Sequence, residues 1–528
     1  MRKVFIPFTI FLFLTACTTD VPEPPNILII LVDDMGYSDP GCYGGEIQTP
    51  NLDRLAADGL RFTQFYNTAR CWPTRGALMT GYYAQQVGRD NAPGIKGGPG
   101  GIRPGWAKLL PEYLKHAGYR SYHSGKWHID GDALENGFDN SFMVARQNDY
   151  FRPEELRLDD LVLPRFERGS VNYSTVLIAE RAIDQLKRHS SENGDQPFFS
   201  YVAFTAPHFP LHALPEDIEK VGDRYQPGWD VLREQRWEKI LELGIASGEL
   251  SEVEKDLGPP YHFPEAFEIL GEGEVNRPLS WESLTDEQKH FQERKMAIHA
   301  AMVERVDVEI GRILDQLRGM DAIENTLIFF LSDNGASSEI MVRGNGHDPE
   351  ADPGSAETYL CLGPGWSTMC NTPYRKHKTW VHEGGTCTPL IVNWPRGIPA
   401  RGELRHDPGH VIDLAPTIFE LAGIAVSDSL EVPLPGKSLV PVFEGEIRWE
   451  RTLWWYHEGN RAVRDGDWKL VAARDEPWEL FNLANDRTES DDLAEEQPDR
   501  VDELEAEWES ILAEFREVAP LKEKVHAE

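Results

Sequence analysis

Four short apolar runs each end in side chains that can do chemistry. NILIILVDD closes on Asp33 and Asp34, and Leu327–Leu331 is followed by Asp333, Asn334 and Gly335. Phe198–Phe204 leads to His208, and the extended stretch GYRSYHSGKWH leads to Lys126 and His128. Asp33, Asp34, Asp333 and Asn334 offer hard oxygen donors. Held together without a cation, such carboxylates would repel one another and take up protons. An oxygen-only set suits Ca²⁺ or Mg²⁺ and argues against zinc. Either pair alone equally marks a turn after a strand; the two together point to a metal site. Lys126 and His128 lie two apart in extended chain, so they share one face. Singly, these residues, His208 and Lys378 read as surface or structural groups. Together with Arg75 they form a cationic cradle beside the metal, a receptor for a tetrahedral anion.

The elements that must position these groups follow from the pattern. Near-continuous apolar strands fit a sheet covered on both faces by helices, and in open α/β sheets ligands sit beyond the carboxyl ends of the strands. One shared site is therefore expected. Thr49 is a candidate N-cap before Pro50, with Leu52, Leu55 and Leu60 buried. Met296, Ala300, Val303, Ile310, Leu314 and Leu317 recur at helical spacing. Residues 209–295 are acidic and rich in Trp and Pro, and read as a partly helical insertion over the site. From about Arg451 the style changes to short aromatic strands with an Asp-Gly turn, then a helix presenting Val501, Leu504, Trp508, Ile511 and Phe515, which sets off residues 441–528 as a C-terminal unit. The expected class is α/β: a large, mostly parallel sheet sandwiched by helices over residues 25–440, plus a small C-terminal α+β unit.

The N-terminus belongs to targeting. Arg2 and Lys3 precede an apolar stretch too short to span a bilayer. Leu14-Thr15-Ala16-Cys17 resembles a bacterial lipobox, which implies removal of the leader within residues 1–20 and lipidation of Cys17. Thr18 after it favours the outer membrane, with the protein facing the periplasm or cell surface. An ordinary signal peptide is the alternative. Five cysteines remain, Cys42, Cys71, Cys361, Cys370 and Cys387. An odd number in an oxidising compartment leaves at least one unpaired. Cys361 and Cys370 could bridge, and Cys71 is the best candidate for the odd one out. The formal charge of −35 excludes a nucleic-acid footprint and requires any anion site to be a local positive pocket.

Cys71 stands in CWPTRGALMTG. Cys71 to Arg75 match the Cys-x-Pro-x-Arg signature of the type I sulfatases, followed by that family's Gly-x-Leu-x-Thr-Gly. NILIILVDDMGYSD, TPNLDRLAADGLRFTQFY, GKWH, APH, LSDNGA and KTWVHEGG resemble its other blocks in the same order, and DGDWKLV and ELFNL resume the likeness near the C-terminus. The resemblance implies an alkaline phosphatase-like fold and a sulfuric ester hydrolase. It implies that a separate maturation enzyme oxidises Cys71 to formylglycine. One hydroxyl of the hydrated aldehyde then attacks sulfur and displaces the alcohol, and loss of the second hydroxyl's proton lets the carbon expel sulfate. Carried over by position, Asp33, Asp34, Asp333, Asn334 and the modified Cys71 bind Ca²⁺ in preference to Mg²⁺. Arg75 steadies the diol, Lys126 and Lys378 grip sulfate oxygens, His128 is the base, and His208 protonates the leaving alcohol. The expected substrate is a sulfated carbohydrate, with the leaving group met by His212, Arg89 and His457. Alternatives are a phosphonate monoester or phosphodiester hydrolase of the same superfamily, and a non-catalytic glycan-binding lipoprotein.

Overall fold

A computed structural model of the chain describes residues 23–146, 148–166, 172–344, 346–425 and 430–520; Cys17 lies outside them. Eleven strands form one mixed sheet: β1 Asn26–Asp33, β2 Leu60–Tyr66, β3 Arg120–Gly125, β4 Asn140–Arg146, β5 Glu154–Leu158, β6 Leu161–Val162, β7 Phe198–Pro207, β8 Thr326–Ser332, β9 Cys387–Asn393, β10 Glu403–Arg405 and β11 Gly409–His410. Their order is β10-β2-β9-β8-β1-β7-β3-β4-β5-β6, with β11 also on β2. β8, β1, β7, β3 and β4 run parallel to one another; β9 is antiparallel to both its neighbours.

The apolar runs are near-continuous because both faces of the sheet are covered. Leu28, Ile30 and Val32 join a core with the long helix Asp286–Gly319, whose Met296, Ala300, Val303, Ile310, Leu314 and Leu317 are all buried there. Ile27, Ile29 and Leu31 join the opposite core with Ala77, Leu78 and Ile418. Each such side chain contributes about 1.5–3 kcal/mol on burial, which anchors the polar ends of the strands.

Several expectations need correction. Thr49 occupies the N-cap position of the helix Pro50–Ala57 but makes no cap bond. Its hydroxyl instead accepts from the Gly41 N–H and donates to Asp53. Residues 209–295 are not chiefly a cover: Leu211, Val221, Trp229, Leu232, Trp237 and Ile240 belong to the main core, and Trp229, Trp281 and Trp366 pack edge-on within it. Phe209, whose carbonyl bonds His208 and whose ring lies 5.3 Å from the Lys378 ammonium, and the stretch around Tyr261 do reach the site. Cys361 and Cys370 do not bridge, and all five cysteines in the described region are free and buried. Cys361 donates to the Met341 carbonyl while Cys370 lies beside His299.

A second, antiparallel sheet follows, in the order β12 Thr452–His457, β13 Asn460–Asp465, β14 Trp468–Ala472, β15 Glu479–Asn482. Trp454, Val463, Leu470 and Leu480 share a core with Leu504, Trp508, Leu512 and Phe515 of the helix Pro498–Val518. Leu512, not Ile511, is the buried residue of that helix turn. Leu453, Trp455, Ala462, Val471 and Phe481 pack on the opposite side, into the core of the main sheet. Lys469 and Arg487 meet buried Glu383 of the main body at 2.8 and 3.0 Å. Among the described residues no helix is long and apolar enough to cross a membrane.

Candidate active site

The four runs that end in polar residues are the four contiguous parallel strands β8-β1-β7-β3. Because they run the same way, their carboxyl ends share one edge, and Asp33 stands opposite Pro207 in register. Neighbouring strands lie about 4.8 Å apart, so Asp333 and Asn334, Asp33 and Asp34, His208, and Lys126 with His128 arrive side by side. The helix Cys71–Thr80 adds its N-terminus, with Cys71 as its first residue and Arg70 in extended conformation before it. The helix dipole places partial positive charge there.

Charge density at this edge is high and almost wholly buried. The Arg75 guanidinium, fully buried, donates Nε and Nη2 to Asp333 Oδ2 at 3.0 and 2.7 Å, and Nη2 also reaches Asp33 at 3.4 Å. Lys126 is bonded to Asp33. Lys378 lies 2.8 Å from Asp34 and 3.2 Å from Glu339. Asn334 donates to Asp34 at 2.7 Å. Burial pushes the Asp33 carboxyl up, but Lys126, His208 and Arg75 more than offset this and hold it well below the ordinary range. Burial and the Asp33 charge raise Asp333. Burial alone would lower Lys378; Asp34 and Glu339 raise it above its ordinary value, so it stays cationic.

These residues fit a hard cation. Donor atoms of Asp33, Cys71 and Asp333 lie within 4.8 Å of one another, as do those of Asp33, Asp34 and His208. Asn334 Oδ1 is buried without a hydrogen-bond partner among the described residues. An orphaned amide oxygen beside three carboxylates is the donor set an oxygen-seeking divalent ion requires.

The two histidines are held differently. His208 Nδ1 bonds the Phe209 carbonyl at 2.6 Å, which leaves Nε2 facing Asp34 at 3.7 Å. Burial takes its pKa down to about 4, against the opposing charge of Asp34. His128 sits at φ 55°, a region that non-glycine residues enter at a cost of about 1–3 kcal/mol. Burial, Lys126 and Arg75 hold its pKa well below the ordinary value, so the ring is a neutral proton acceptor. Its Nδ1 has no partner among the described residues.

Arg89 and His212, expected to meet substrate, are engaged by the protein's own backbone. Arg89 is buried; its Nη1 and Nη2 donate to the carbonyls of Gly101, Pro99 and His128, and its Nε faces the Asp130 carboxylate at 3.7 Å. His212 accepts the Tyr150 N–H at Nδ1 and bonds the Thr358 carbonyl at Nε2, so neither nitrogen is left for a ligand. His457 is buried as well, paired with Asp90 at 2.8 Å and edge-on to Trp72. Sequence reasoning missed Arg70 and Glu339. Arg70 lies between the rings of Trp72 and Tyr261, 5.3 Å from each, and pairs at 3.1 Å with Glu339, which also holds Lys378. Adjacency to Cys71 was a signal for Arg70; Glu339 lies in a loop and carries none.

Residues 25–424 match the Sulfatase family profile, and residues 375–517 match the C-terminal profile of N-sulphoglucosamine sulphohydrolase. The chain belongs to the sulfatase family. It is 32% identical to an uncharacterised sulfatase of Schizosaccharomyces pombe, covering 92% of this chain and 93% of the other. It is 31% identical to an arylsulfatase of Klebsiella aerogenes, over 81% and 94%, and 25% identical to the N-acetylglucosamine-6-O-sulfatase of Bacteroides thetaiotaomicron, over 91% and 85%. In fold it is similar to Ps i-CgsB, solved in complex with k-i-k-neocarrahexaose, with a TM-score of 0.66, 24% identity and coverage of 95% and 96%. The phosphonate monoester hydrolase of Agrobacterium radiobacter is similar at a TM-score of 0.58 and 20% identity, over 93% and 96%, which speaks to the shared alkaline phosphatase-like fold alone. This sulfatase is an enzyme of a family that is generally formylglycine- and metal-dependent.

Proposed function

We propose that this sulfatase releases inorganic sulfate from a sulfated carbohydrate, with Cys71 converted to formylglycine by a maturation enzyme and Ca²⁺ held by Asp33, Asp34, Asp333 and Asn334. The observation that carries the reading is the placement of Cys71: a nearly buried first residue of a helix, within 4.8 Å of Asp33 and Asp333 at their donor atoms. The carbohydrate class is supported by the N-acetylglucosamine-6-O-sulfatase among its relatives.

The hydrated aldehyde would supply a hydroxyl nucleophile and a second hydroxyl for release of sulfate, and the cation would bind an anionic oxygen and acidify the nucleophile. This chain's own residues do the rest. Lys126 and Lys378 hold two sulfate oxygens as negative charge builds on them. Arg75 fixes Asp333 and Asp33 and so keeps the metal-side carboxylates from moving. His128, kept neutral by burial and two neighbouring cations, accepts the proton of the second hydroxyl. His208, anchored at Nδ1, delivers a proton from Nε2 to the leaving oxygen, and the anionic ester beside it raises its affinity for that proton.

The test is the mass of the tryptic peptide containing Cys71, from protein made with and without a maturation enzyme, beside turnover of 4-nitrophenyl sulfate and 4-nitrophenyl phosphonate esters. An aldehyde and preference for the sulfate ester are expected. An unmodified Cys71 under both conditions, or preference for the phosphorus ester, would overturn the reading. Anchoring through lipidated Cys17, with the protein on the outer membrane, belongs to the same proposal; Cys17→Ala should move the protein from the membrane to the soluble fraction.

A further inference from the structure

A cavity of about 530 Å³ opens between the loop holding Leu257 and Pro260, the Arg375–Trp380 segment, and the C-terminal sheet. It shares a wall with the site that holds Lys378. Lys376, Thr379 and Trp380 face the cavity, while Lys378, between them, bonds Asp34. Thr379 sits at φ 90°, a strained conformation for a β-branched residue. It is pinned there by donation of its N–H to the Ala69 carbonyl at 2.9 Å. Arg70 donates to its hydroxyl at 2.6 Å, and Asn460 donates to its carbonyl at 3.2 Å. A second path of contacts runs from Trp72, next to Cys71, through Arg70 and Tyr261 to Glu458 on the cavity rim, where the Tyr261 hydroxyl donates at 2.8 Å.

The volume lies inside the range of about 300–1,000 Å³ common for small-ligand sites. The chemistry of the walls says what kind of ligand. Its cations are already matched: Arg375 with Glu479 at 3.2 Å, Lys376 with Glu254 at 2.6 Å, and Arg474 with Glu458 at 3.2 Å. Glu476 and Asp492 add further carboxylates to the lining. A sulfated or uronate sugar would therefore meet carboxylates and no spare positive charge, a costly juxtaposition. An uncharged sugar would meet paired donors and acceptors for its hydroxyls and the partly exposed indole of Trp380 for its C–H face.

We propose that this cavity is a second saccharide subsite, which holds an uncharged sugar linked to the one that carries the scissile sulfate. The inference rests on the sulfate-ester reading above.

The test is binding of the full-length Cys71→Ala protein to an array of sulfated oligosaccharides whose neighbouring sugar is neutral or anionic. The same array is probed with Trp380→Ala and with Arg474→Ala added, beside 4-nitrophenyl sulfate turnover by matured wild type. Expected is selective retention of glycans with a neutral neighbour, weakened about tenfold or more by Trp380→Ala in the aromatic wall, with Arg474→Ala acting in the same direction. Equal binding of anionic neighbours, retention indifferent to both substitutions, or aryl-sulfate turnover with no glycan retained would overturn the subsite. Absence of both aryl-sulfate turnover and glycan retention would overturn the sulfate-ester reading itself.

Discussion

Arg89 decides between two kinds of role, and its replacement separates them. The guanidinium is buried and donates to the carbonyl of His128 at 3.1 Å, to that of Pro99 at 3.2 Å, and to that of Gly101. His128 is the residue it holds at φ 55°. A hydrogen bond from a charged donor is worth about 1.5–3 kcal/mol, comparable with the strain of about 1–3 kcal/mol that it restrains. In Arg89→Met the restraint is gone. Relaxation of about 1–2 kcal/mol of strain lowers the fraction of His128 in its site-facing conformation about 5- to 30-fold. The expected result is a kcat for 4-nitrophenyl sulfate reduced by that factor, with KM changed by less than about twofold. Urea unfolding should show a stability loss of at least ~2 kcal/mol from the unpaired carbonyls, so kinetics are taken where the variant is folded by circular dichroism. Arg89→Lys keeps the charge and one or two of the bonds and should fall between. Gly76→Ala should mimic it, because a Cβ there would lie 2.9 Å from the Arg89 Cβ. If folded Arg89→Met keeps its kcat while KM for a sulfated glycan rises, Arg89 binds substrate and the positioning argument is refuted.

Three further outcomes follow from the same geometry. Arg75→Lys removes a buried fork from Asp333 and leaves that carboxylate underpaired, which should cost about 3–5 kcal/mol in urea unfolding and abolish measurable aryl-sulfate turnover. Exhaustive chelation should leave Asp33, Asp34 and Asp333 repelling one another; the expected result is a lower melting temperature and lost activity, both restored by Ca²⁺ more fully than by Mg²⁺, with binding heat measured by calorimetry. Glu383 is the buried meeting point of Lys469, Arg487 and the Tyr66 hydroxyl; burial raises its carboxyl pKa, but Lys469 and Arg487 more than offset this and hold it below its ordinary 4.5. Its stabilisation is therefore fully present above about pH 4.5 and is lost as pH falls through the depressed folded value. Glu383→Gln should lower stability by about 3–5 kcal/mol at neutral pH and flatten the acid limb of the unfolding profile.

The strand ends were legible because a strand buried on both faces has a simple signature: Ile27 to Val32 is unbroken apolar sequence, and Asp33-Asp34 breaks it where the sheet edge begins. The helix Asp286–Gly319 was legible for the related reason that its buried residues recur at helical spacing. The small antiparallel sheet announced itself through the Asp465-Gly466 turn. What the sequence did not carry was the set of partners that polar residues in irregular segments meet. Arg89 and His212 looked like ligand-binding groups because a sequence records the donor and not the backbone carbonyl that takes its bond.

By itself, then, the sequence determined which elements form and which chemistry is available. Apolar periodicity sets strand and helix, and Cys71, Arg75 and the four oxygen donors Asp33, Asp34, Asp333 and Asn334 carry their identities wherever the chain places them. Tertiary structure alone decided that β8, β1, β7 and β3 lie side by side in parallel, which puts residues up to three hundred positions apart within one donor set. It also decided that Arg89 serves His128, that Glu339 joins Arg70 to Lys378, and that the 209–295 stretch is core more than cover. These are contacts between distant segments, set by how two cores pack against one sheet, and local composition holds no record of them.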